Sequence, residues 1–510
     1  MAVPVWSVDP RTGKQREQVA VEATAEEVDA VVRAAAAALP ALADREVRAR
    51  LLRTAADFLE EAGPRILEAA DAETALGPVR LTGELGRTAY QLRAFADIVD
   101  EGAFLDVIID HADPSLAPPR PDLRRWKIPL GVVAVYAASN FPLAFSVPGG
   151  DTASALAAGC SVVVKAHPDH PATSELCADA LRRAAVAVGL PADVVSVVHG
   201  FQAGIDLVEH PLVAAAGFTG SVRGGRALFE AAAARPVPIP FHGELGSLNP
   251  VVVTEAAAEE RAEQIGAGLA EAMTLGVGQF CVKPGLVLTP QGEAGDRLLK
   301  SLAAAVGDVA PGTLLDARMR DNFIAGVREL TELPGVEAPV EPGDGGEHLV
   351  RAGFVSVPAA RLAEGGGAHD GLLEEHFGPV TVVARYANAE EVEGVLGRLP
   401  GNLTATAHLG EAEASGAEAS GAELLRRLTP LAGRVVVNGW PTGVAVAPAM
   451  HHGGPYPATT STSTSVGGTA IERWLRPVAY QEAPEALLPA ELRDGNPVGV
   501  PRRFNGRRES

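Results

Sequence analysis

Apolar residues recur on one helical face through much of the first hundred positions. Val28, Val31, Val32 and Ala35 follow directly on Thr24-Ala-Glu-Glu27, which has the form of a helix-capping box. The spacing predicts a helix that begins at this point, within a first hundred residues that are mainly helical and amphipathic. No pattern typical of a catalytic site is visible in this region.

The pattern changes at about Leu130, where short runs of β-branched residues are separated by alanine-rich helical stretches. The runs lie at Val132 to Tyr136, Val162 to Val164, Val194 to Val198 and Val251 to Val253. Continuous apolar strands that alternate with helices are typical of a parallel sheet covered on both faces. The pattern therefore predicts an α/β fold.

Composition narrows the class of protein further. The chain has 510 residues, of which 43 are basic and 64 acidic, and its formal net charge is −21. That charge repels a polyanion, so we expect no nucleic-acid partner. The three cysteines are too few for a disulfide framework and favour a reducing compartment. The sequence has the form neither of a secretory signal nor of a membrane-spanning segment, so we expect a cytoplasmic protein without a membrane partner.

Three polar residues have sequence surroundings that suit a catalytic role in an α/β enzyme. Cys281 follows small and polar residues, where a substrate can reach a thiol, although a buried structural cysteine is the commoner case. Glu244 lies in a glycine-flanked stretch, where it could act as a general base; the alternative is an acid that forms a salt bridge in a loop. Asn140 follows a predicted strand, where its amide can donate to an oxyanion or form an ordinary turn.

A second group of residues is placed to bind a cofactor that carries phosphate. The segment Phe218-Thr-Gly-Ser-Val-Arg-Gly-Gly225 runs from a strand into a helix start, where backbone N–H groups bind phosphate, and a plain turn is the alternative. Lys165 ends another strand and can contact a ribose or phosphate, or face solvent. No Gly-x-Gly-x-x-Gly follows a strand, so the usual dinucleotide fingerprint is absent. His167 and His170 lack a third ligand at zinc spacing, so we expect no metal.

Taken in order, these segments resemble the NAD(P)-dependent aldehyde dehydrogenases. The resemblance extends to about Gln481 and rests on Asn140-Phe-Pro after a strand, the Val-Val-Lys165 strand, Phe218-Thr-Gly-Ser221, Glu244-Leu-Gly246, Gly278-Gln-Phe-Cys281 and Glu375-His-Phe-Gly-Pro379. Three further segments are similar to the α-ketoglutaric semialdehyde (2,5-dioxovalerate) dehydrogenases and to NADP-preferring fatty aldehyde enzymes: the stretches that begin at Asn140, at Val436 and at His452.

The resemblance implies a fold and a division of the chain. The expected fold is the α/β aldehyde dehydrogenase fold, with a Rossmann-like cofactor-binding domain at 1–112 and 129–244 and a catalytic domain at 245–455. Residues 113–128 and 456–510 would form a small oligomerisation arm and C-terminal segment. We expect a homodimer or homotetramer on the same ground.

The resemblance also implies residue roles. Cys281 would attack the aldehyde, Asn140 and the Cys281 N–H would hold the oxyanion, and Glu244, with a protonation state that changes near neutral pH, would activate the water that hydrolyses the thioester. The implied contacts to the cofactor are Lys165, His167, Gly220, Ser221, Gly225, Gly246, Glu375 and Phe377. The implied reaction oxidises 2,5-dioxovalerate or a related semialdehyde to the acid and reduces NADP or NAD. The alternatives are a fatty or other aliphatic aldehyde, or a non-redox thiolate esterase or scaffold.

The chain departs from the common family pattern in ways that bear on specificity. Many relatives carry a ribose-binding glutamate three residues after the lysine, where this chain has Pro168. Loss of that acid relieves repulsion of a 2′-phosphate, so we expect NADP to be preferred, with His167 or Arg223 as its contact. Pro148 and Gly149 replace a common Trp-Lys pair, which predicts a substrate tunnel unlike the aromatic-lined kind. No arginine follows the nucleophile to hold a substrate carboxylate.

Overall fold

Helices alternate with strands along most of the chain. The computed structural model describes residues 3–509. In its first half the α-helices are Ala25–Ala38, Arg45–Glu61, Gly63–Thr74, Pro78–Glu101, Gly150–Ala158, Pro171–Ala187, Phe201–Glu209 and Val222–Ala234. In its second half they are Glu255–Thr274, Glu293–Gly307, Ala317–Thr331, Ala359–Ala363, Ala389–Leu396, Glu411–Ala414 and Ala419–Leu428. No helix of the described range is long and apolar enough to cross a membrane.

The helix predicted after Thr24 is confirmed. It spans Ala25–Ala38, and both halves of the capping box form: the Glu27 N–H donates to Thr24 Oγ1 at 3.2 Å and the Thr24 N–H donates to the Glu27 carboxylate at 2.8 Å. These bonds satisfy two backbone donors that a helix start otherwise leaves free. Val28 and Val32 are buried on its inner face.

The expectation of a mainly helical first hundred residues is confirmed, but the chain begins with two strands that were not predicted. Pro4–Asp9 and Lys14–Val21 form an antiparallel hairpin. The Asp9 carbonyl accepts from the N–H groups of Thr12 (3.2 Å) and Gly13 (2.8 Å), and Gly13 has a φ of 65°. A glycine takes that left-handed conformation without a steric penalty, so it can close the turn between the two strands.

The predicted parallel sheet is confirmed, and we call it the first sheet. Its strands are all parallel and lie in the order Val195–Val198, Val162–Lys165, Val132–Tyr136, Val213–Thr219 and Phe241–Glu244. Val133 and Val135 pack into one hydrophobic cluster, while Val132 and Ala134 pack into another on the opposite face. Because side chains alternate across a strand, helices on both faces require the continuous apolar runs seen in the sequence.

The second sheet has seven strands and lies in the C-terminal half. In spatial order they are Glu337–Val340, Gly353–Pro358, Val380–Tyr386, Leu286–Pro290, Val251–Val253, Asn402–His408 and Ala432–Val437. The pairs are parallel except for the antiparallel first pair. A small antiparallel sheet accompanies it, formed by Gly312–Thr313, Leu349–Arg351 and Gly343–Gly346.

A third sheet joins segments that are far apart in sequence. In spatial order its strands are Leu475–Gln481, Leu123–Pro129, Val107–Asp110, Arg502–Phe504 and Arg507–Glu509. It combines the predicted arm with the C-terminal segment, and it also includes a strand that lies before residue 113. The fully buried Trp474 connects it to the core, because its indole N–H donates to Ser154 Oγ at 2.8 Å. The division of the chain into domains stays a prediction.

The carboxyl ends of parallel strands lie at the same edge of a sheet, and this arrangement brings the candidate residues together. Tyr136, Lys165, Thr219 and Glu244 all end strands of the first sheet at its carboxyl edge. Ligands of open α/β sheets bind at this edge. Cys281 reaches the same region from the loop that precedes the second sheet's Leu286–Pro290 strand.

Candidate active site

The loop that carries Cys281 has an unusual backbone. Gly276, Val277 and Gly278 have φ values of 57°, 59° and 68°, which are all left-handed. A β-branched residue in this region is strained, so the surroundings must hold Val277 there. Gly278 lies against the backbone of Gly378, and a Cβ at this position would overlap the Gly378 carbonyl oxygen. The loop is thus held against the Glu375–Pro379 segment.

Asn249 fixes the other side of the same loop. Its Nδ2 donates to the carbonyl oxygens of Cys281 at 2.8 Å and Lys283 at 3.0 Å. Its Oδ1 accepts from Thr404 N at 3.2 Å, which ties the loop to the second sheet. Asn249 is 1% exposed, so these bonds are shielded from water.

Two predicted residues, Cys281 and Glu244, meet at a third that was not predicted, His452. Cys281 Sγ lies 3.7 Å from His452 Nε2, and the same nitrogen lies 3.0 Å from Glu244 Oε1. His452 is 0% exposed and Glu244 is 3% exposed, whereas Cys281 is partly accessible. The His452 Nδ1 atom has no hydrogen-bond partner among residues 3–509. A thiol, an imidazole and a carboxylate therefore converge at one point.

The serine and threonine run at 459–465 holds this cluster in place. Ser465 Oγ donates to Glu244 Oε2 at 2.5 Å, and Thr464 Oγ1 accepts from the His452 N–H at 2.8 Å. Thr460 Oγ1 accepts from Gly243 N at 2.8 Å. By composition this run reads as a polar loop, but in the structure its hydroxyls bind the residues around the candidate base.

The electrostatics of the cluster favour a neutral thiol beside a carboxylate. Burial raises the pKa of Glu244, but the charge of His452 and hydrogen bonds from His452 and Ser465 outweigh it and hold this pKa below its ordinary value. Burial and the nearby Glu244 carboxylate raise the pKa of the Cys281 thiol well above its ordinary value. The predicted change in Glu244 protonation near neutral pH is therefore absent as long as His452 carries a proton, the state that follows transfer of the thiol proton. The thiol needs a base before it can act as a nucleophile.

Asn140 is joined to the nucleophile loop. Its Nδ2 donates to the backbone carbonyl oxygen of Gln279 at 3.0 Å. The backbone carbonyl oxygen of Asn140 accepts from Arg80 Nη2 at 2.5 Å. An amide has two N–H donors, so the second remains for a ligand. The Cys281 N–H makes no hydrogen bond to another residue within 3–509. Two donors are thus available beside the sulfur.

Three phenylalanines, one of them next to Cys281 in the sequence, pack together near His452. Phe141 lies edge-on to Phe145 and Phe280, with ring centroids 5.3 and 5.2 Å apart, and the Phe145 ring lies 6.2 Å from the ring of His452. A substrate tunnel unlike the aromatic-lined kind stays a prediction. Gly149 serves a tight turn, because a Cβ there would lie 2.6 Å from the Ala144 carbonyl oxygen.

The predicted phosphate segment forms a helix start. Ser221 is the N-cap of Val222–Ala234, and its Oγ accepts from the Gly224 N–H at 3.2 Å. Free N–H groups at such an end bind phosphate. Gly225 allows the helix to pack closely, because a Cβ there would overlap the Leu245 side chain. Gly220 is confined in the same way, because a Cβ there would lie 2.8 Å from the Phe218 ring.

The remaining cofactor candidates lie around the same edge of the first sheet. A Cβ on Gly246 would lie 2.6 Å from Glu375 Oε2, so these two predicted residues are neighbours, and Phe377 follows two positions later, partly buried. The stem of Lys165 packs against Gly204 at the next helix. His167 Nδ1 lies 3.3 Å from Asp169 Oδ2. The roles of these residues as contacts to a dinucleotide stay predictions.

One cluster could also ligate a cation. One ligand atom each of Glu244, Cys281 and His452 lies within 4.8 Å of the others. His170 belongs to the histidine pair at which no metal is expected. Its two ring nitrogens already have partners, the Ala138 carbonyl oxygen at 2.8 Å and Ser174 Oγ at 3.3 Å.

Comparison with known proteins assigns this arrangement to a family. The sequence profile described as the aldehyde dehydrogenase family matches residues 4–454. The chain belongs to the aldehyde dehydrogenase family. It is an NAD(P)-dependent enzyme, as its sequence predicts, and a catalytic cysteine is general to this family.

Curated relatives of this aldehyde dehydrogenase share most of its length. Alpha-ketoglutaric semialdehyde dehydrogenase 2 of Azospirillum brasilense is 47% identical over 473 residues, which are 91% of this chain and 87% of the relative. The alpha-ketoglutaric semialdehyde dehydrogenase of Acinetobacter baylyi is 42% identical over 491 residues, which are 95% of this chain and 92% of the relative. The predicted subgroup resemblance is confirmed.

Solved structures confirm the predicted fold of this aldehyde dehydrogenase. PnpE in complex with nicotinamide adenine dinucleotide superposes with a TM-score of 0.79 at 23% identity, and the match covers 95% of each chain. A 3,6-anhydro-L-galactose dehydrogenase in complex with NAP gives a TM-score of 0.78 at 22% identity, over 94% of this chain and 96% of the other. At these identities the comparison is one of fold.

Proposed function

We propose that the enzyme oxidises 2,5-dioxovalerate, or a related semialdehyde that carries a carboxylate, to the corresponding acid with reduction of NADP in preference to NAD. The observation that carries the proposal is the convergence of Cys281, His452 and Glu244 beside the carboxyl edge of the first sheet. The substrate class is supported by the two similar α-ketoglutaric semialdehyde dehydrogenases.

The first step activates the nucleophile. His452 Nε2, 3.7 Å from Cys281 Sγ, takes up the thiol proton, and the Glu244 carboxylate at 3.0 Å stabilises the imidazolium. The thiolate attacks the aldehyde carbon. The oxygen becomes an oxyanion that accepts from Asn140 Nδ2 and the Cys281 N–H.

The second step oxidises the adduct and releases the acid. A bound nicotinamide supplies the acceptor for the hydride that leaves the former aldehyde carbon, and a thioester on Cys281 remains. Glu244 then takes a proton from water, which attacks the thioester carbonyl within the same oxyanion pocket. The thiolate leaves, recovers its proton, and the carboxylic acid departs.

The cofactor preference follows from charge. Pro168 stands where many relatives carry a ribose-binding acid, and Arg223 is exposed at the start of the Val222–Ala234 helix. A cation without a neighbouring acid favours a 2′-phosphate. Lys165, whose pKa burial lowers, would meet the ribose.

The function is tested by initial rates of nicotinamide reduction, measured by absorbance with purified protein. The panel contains 2,5-dioxovalerate, succinic semialdehyde, pentanal and a long-chain aldehyde, each with NADP and with NAD. A preference for the carboxylate-bearing aldehydes supports the proposal. A preference for the long-chain aldehyde would contradict it. Ester hydrolysis without reduction would indicate a thiolate esterase.

We also propose that the enzyme assembles as a homodimer or homotetramer through open edges of its second and third sheets. Leu475–Gln481 lies at an edge of that sheet and Ala432–Val437 at an edge of the second, and each leaves one side unpaired within residues 3–509. Open edges pair readily with another chain. Light scattering at working concentration tests the proposal, and a monomer would contradict it.

A further inference from the structure

Arg87 brings a positive charge to the chamber that contains the nucleophile. It lies on the Pro78–Glu101 helix, and its guanidinium carbon is 5.2 Å from the centre of the Phe145 ring. That ring in turn lies 6.2 Å from the ring of His452, which contacts Cys281. A short series of side-chain contacts therefore connects the guanidinium with the sulfur.

The guanidinium of Arg87 has no partner. It makes no hydrogen bond and no salt bridge within residues 3–509, and its Nη2 is buried without an acceptor. Burial lowers the pKa of Arg87, while the charges of Glu84, Cys281 and Glu244 act against this. Glu84 forms no salt bridge with it: its Oε1 accepts from the backbone of Leu143 and Ala144 at 2.8 and 2.9 Å, and its Oε2 is buried without a partner, so its charge acts on Arg87 only at a distance. Arg87 is partly buried, and a buried donor such as its Nη2 without an acceptor is costly, so a ligand anion would reduce that cost.

Two other arginines near the site are already engaged. Arg434 donates to the carbonyl oxygens of Pro441 and Gly443, and Arg80 donates to that of Asn140. Each of these two also keeps a buried nitrogen without a partner, Nε and Nη1 in Arg80 and Nε in Arg434, but of the three only Arg87 makes no hydrogen bond at all within residues 3–509. The chain as a whole is strongly acidic, with a net charge of −21, so an anionic substrate needs a local cation of this kind.

We propose that Arg87 binds the carboxylate of the substrate at the end opposite the aldehyde. The inference rests on the proposed function and deepens it, since it names the group that distinguishes a carboxylate-bearing aldehyde from a neutral one. The planar fork of an arginine donates two parallel hydrogen bonds to a carboxylate and so orients the substrate as well as attracting it. The Phe145 ring under the guanidinium limits where that fork can point.

The test compares charged and neutral aldehydes of equal length. In Arg87→Met we expect kcat/KM for 2,5-dioxovalerate to fall roughly 10- to 150-fold, mainly through KM, because hydrogen bonds to a charged group are lost. For pentanal we expect a change smaller than about threefold. Arg87→Lys retains the charge but loses the fork, so its loss should be intermediate.

Arg93→Met is the matched control. Arg93 lies on the same helix, but it is exposed and pairs with Asp57 and Glu60, so the same substitution should leave both substrates unaffected. Inhibition by 2-oxoglutarate, the expected product, gives a second measurement, and its inhibition constant should rise in parallel in Arg87→Met.

The outcomes separate this inference from the proposed function. A wild-type enzyme that does not prefer 2,5-dioxovalerate over pentanal contradicts the proposed function and the inference with it. A wild-type preference that survives in Arg87→Met contradicts the inference alone. An equal loss for both aldehydes would assign Arg87 a structural role, and would likewise overturn it. If Arg87→Met does not fold, as judged by circular dichroism, Arg87→Lys decides by the same ratio.

Discussion

Substitution of His452 tests the activation of the nucleophile directly. The imidazole lies 3.7 Å from Cys281 Sγ and 3.0 Å from Glu244 Oε1. At an effective dielectric constant of about 20, unit charges 3.0 Å apart interact by about 5 kcal/mol. A general base typically contributes about 10²- to 10⁴-fold, or about 3 to 5.5 kcal/mol, so stabilisation of the imidazolium by Glu244 is large enough to account for it. In His452→Gln we therefore expect the first turnover to slow by about 10²- to 10⁴-fold.

The assay is a stopped-flow measurement of the first equivalent of reduced nicotinamide. Because burial and Glu244 raise the pKa of the Cys281 thiol, the variant has to rely on the small thiolate fraction. At pH values below the pKa, the thiolate fraction grows about tenfold for each unit by which the pH rises. The rate of the variant should therefore rise steeply with pH, whereas the wild-type rate should rise less.

His451→Gln is the matched control, since it makes the same chemical change one residue away from the cluster. Thermal melting and circular dichroism show whether each variant folds. A His452→Gln burst within about threefold of wild type would refute the reasoning. If Glu244→Gln then lost its burst, the carboxylate would be the base for the thiol.

The other predictions concern single residues of the site. Glu244→Gln should still release a first equivalent of reduced cofactor, although more slowly because the imidazolium loses its carboxylate partner, and should lose at least about 10²- to 10⁴-fold in steady-state rate; an unchanged steady-state rate would contradict its role. Asn140→Ala should slow the burst by about 10²- to 10³-fold without weakening cofactor binding measured by fluorescence titration. Arg223→Ala should raise KM for NADP about tenfold and leave KM for NAD nearly unchanged, and equal effects would exclude contact with the 2′-phosphate. Gly278→Ala should lower the free energy of unfolding by at least about 1 to 3 kcal/mol in thermal denaturation, because its φ is 68° and a Cβ would overlap the Gly378 carbonyl.

Local signals in the sequence predict much of the fold. The capping box at Thr24 and the strands such as Val132–Tyr136 depend on residues near one another in the chain, and both are confirmed. The position of Asn140 at a strand end follows from the same periodicity. The hairpin at Pro4–Asp9 was missed because its turn depends on one left-handed glycine within a polar stretch.

The groups that complete the site were missed because they are distant in sequence. His452 reaches Glu244 only after more than two hundred residues have folded, and Ser465 joins them from a run that composition assigns to a polar loop. Arg87 lies on a helix with no visible chemistry. What distinguishes such residues is a buried polar atom or an unusual contact, and neither property can be read from periodicity.

The shared imidazole explains how one carboxylate can serve two stages. One ligand atom each of Cys281, His452 and Glu244 lies within 4.8 Å of the others, and two anions at that separation repel by about 3 kcal/mol at an effective dielectric constant of about 20. Transfer of the thiol proton to His452 keeps the net charge of the cluster constant, so the thiolate forms without that penalty. Once the sulfur is acylated, it carries no charge and His452 can give up its proton. The positive charge that lowered the pKa of Glu244 is then gone, and burial, which raises this pKa, is no longer opposed by it. Glu244 therefore becomes a stronger base at the stage at which water must be activated, and the pH dependence of thioester hydrolysis should shift to higher pH than that of the burst.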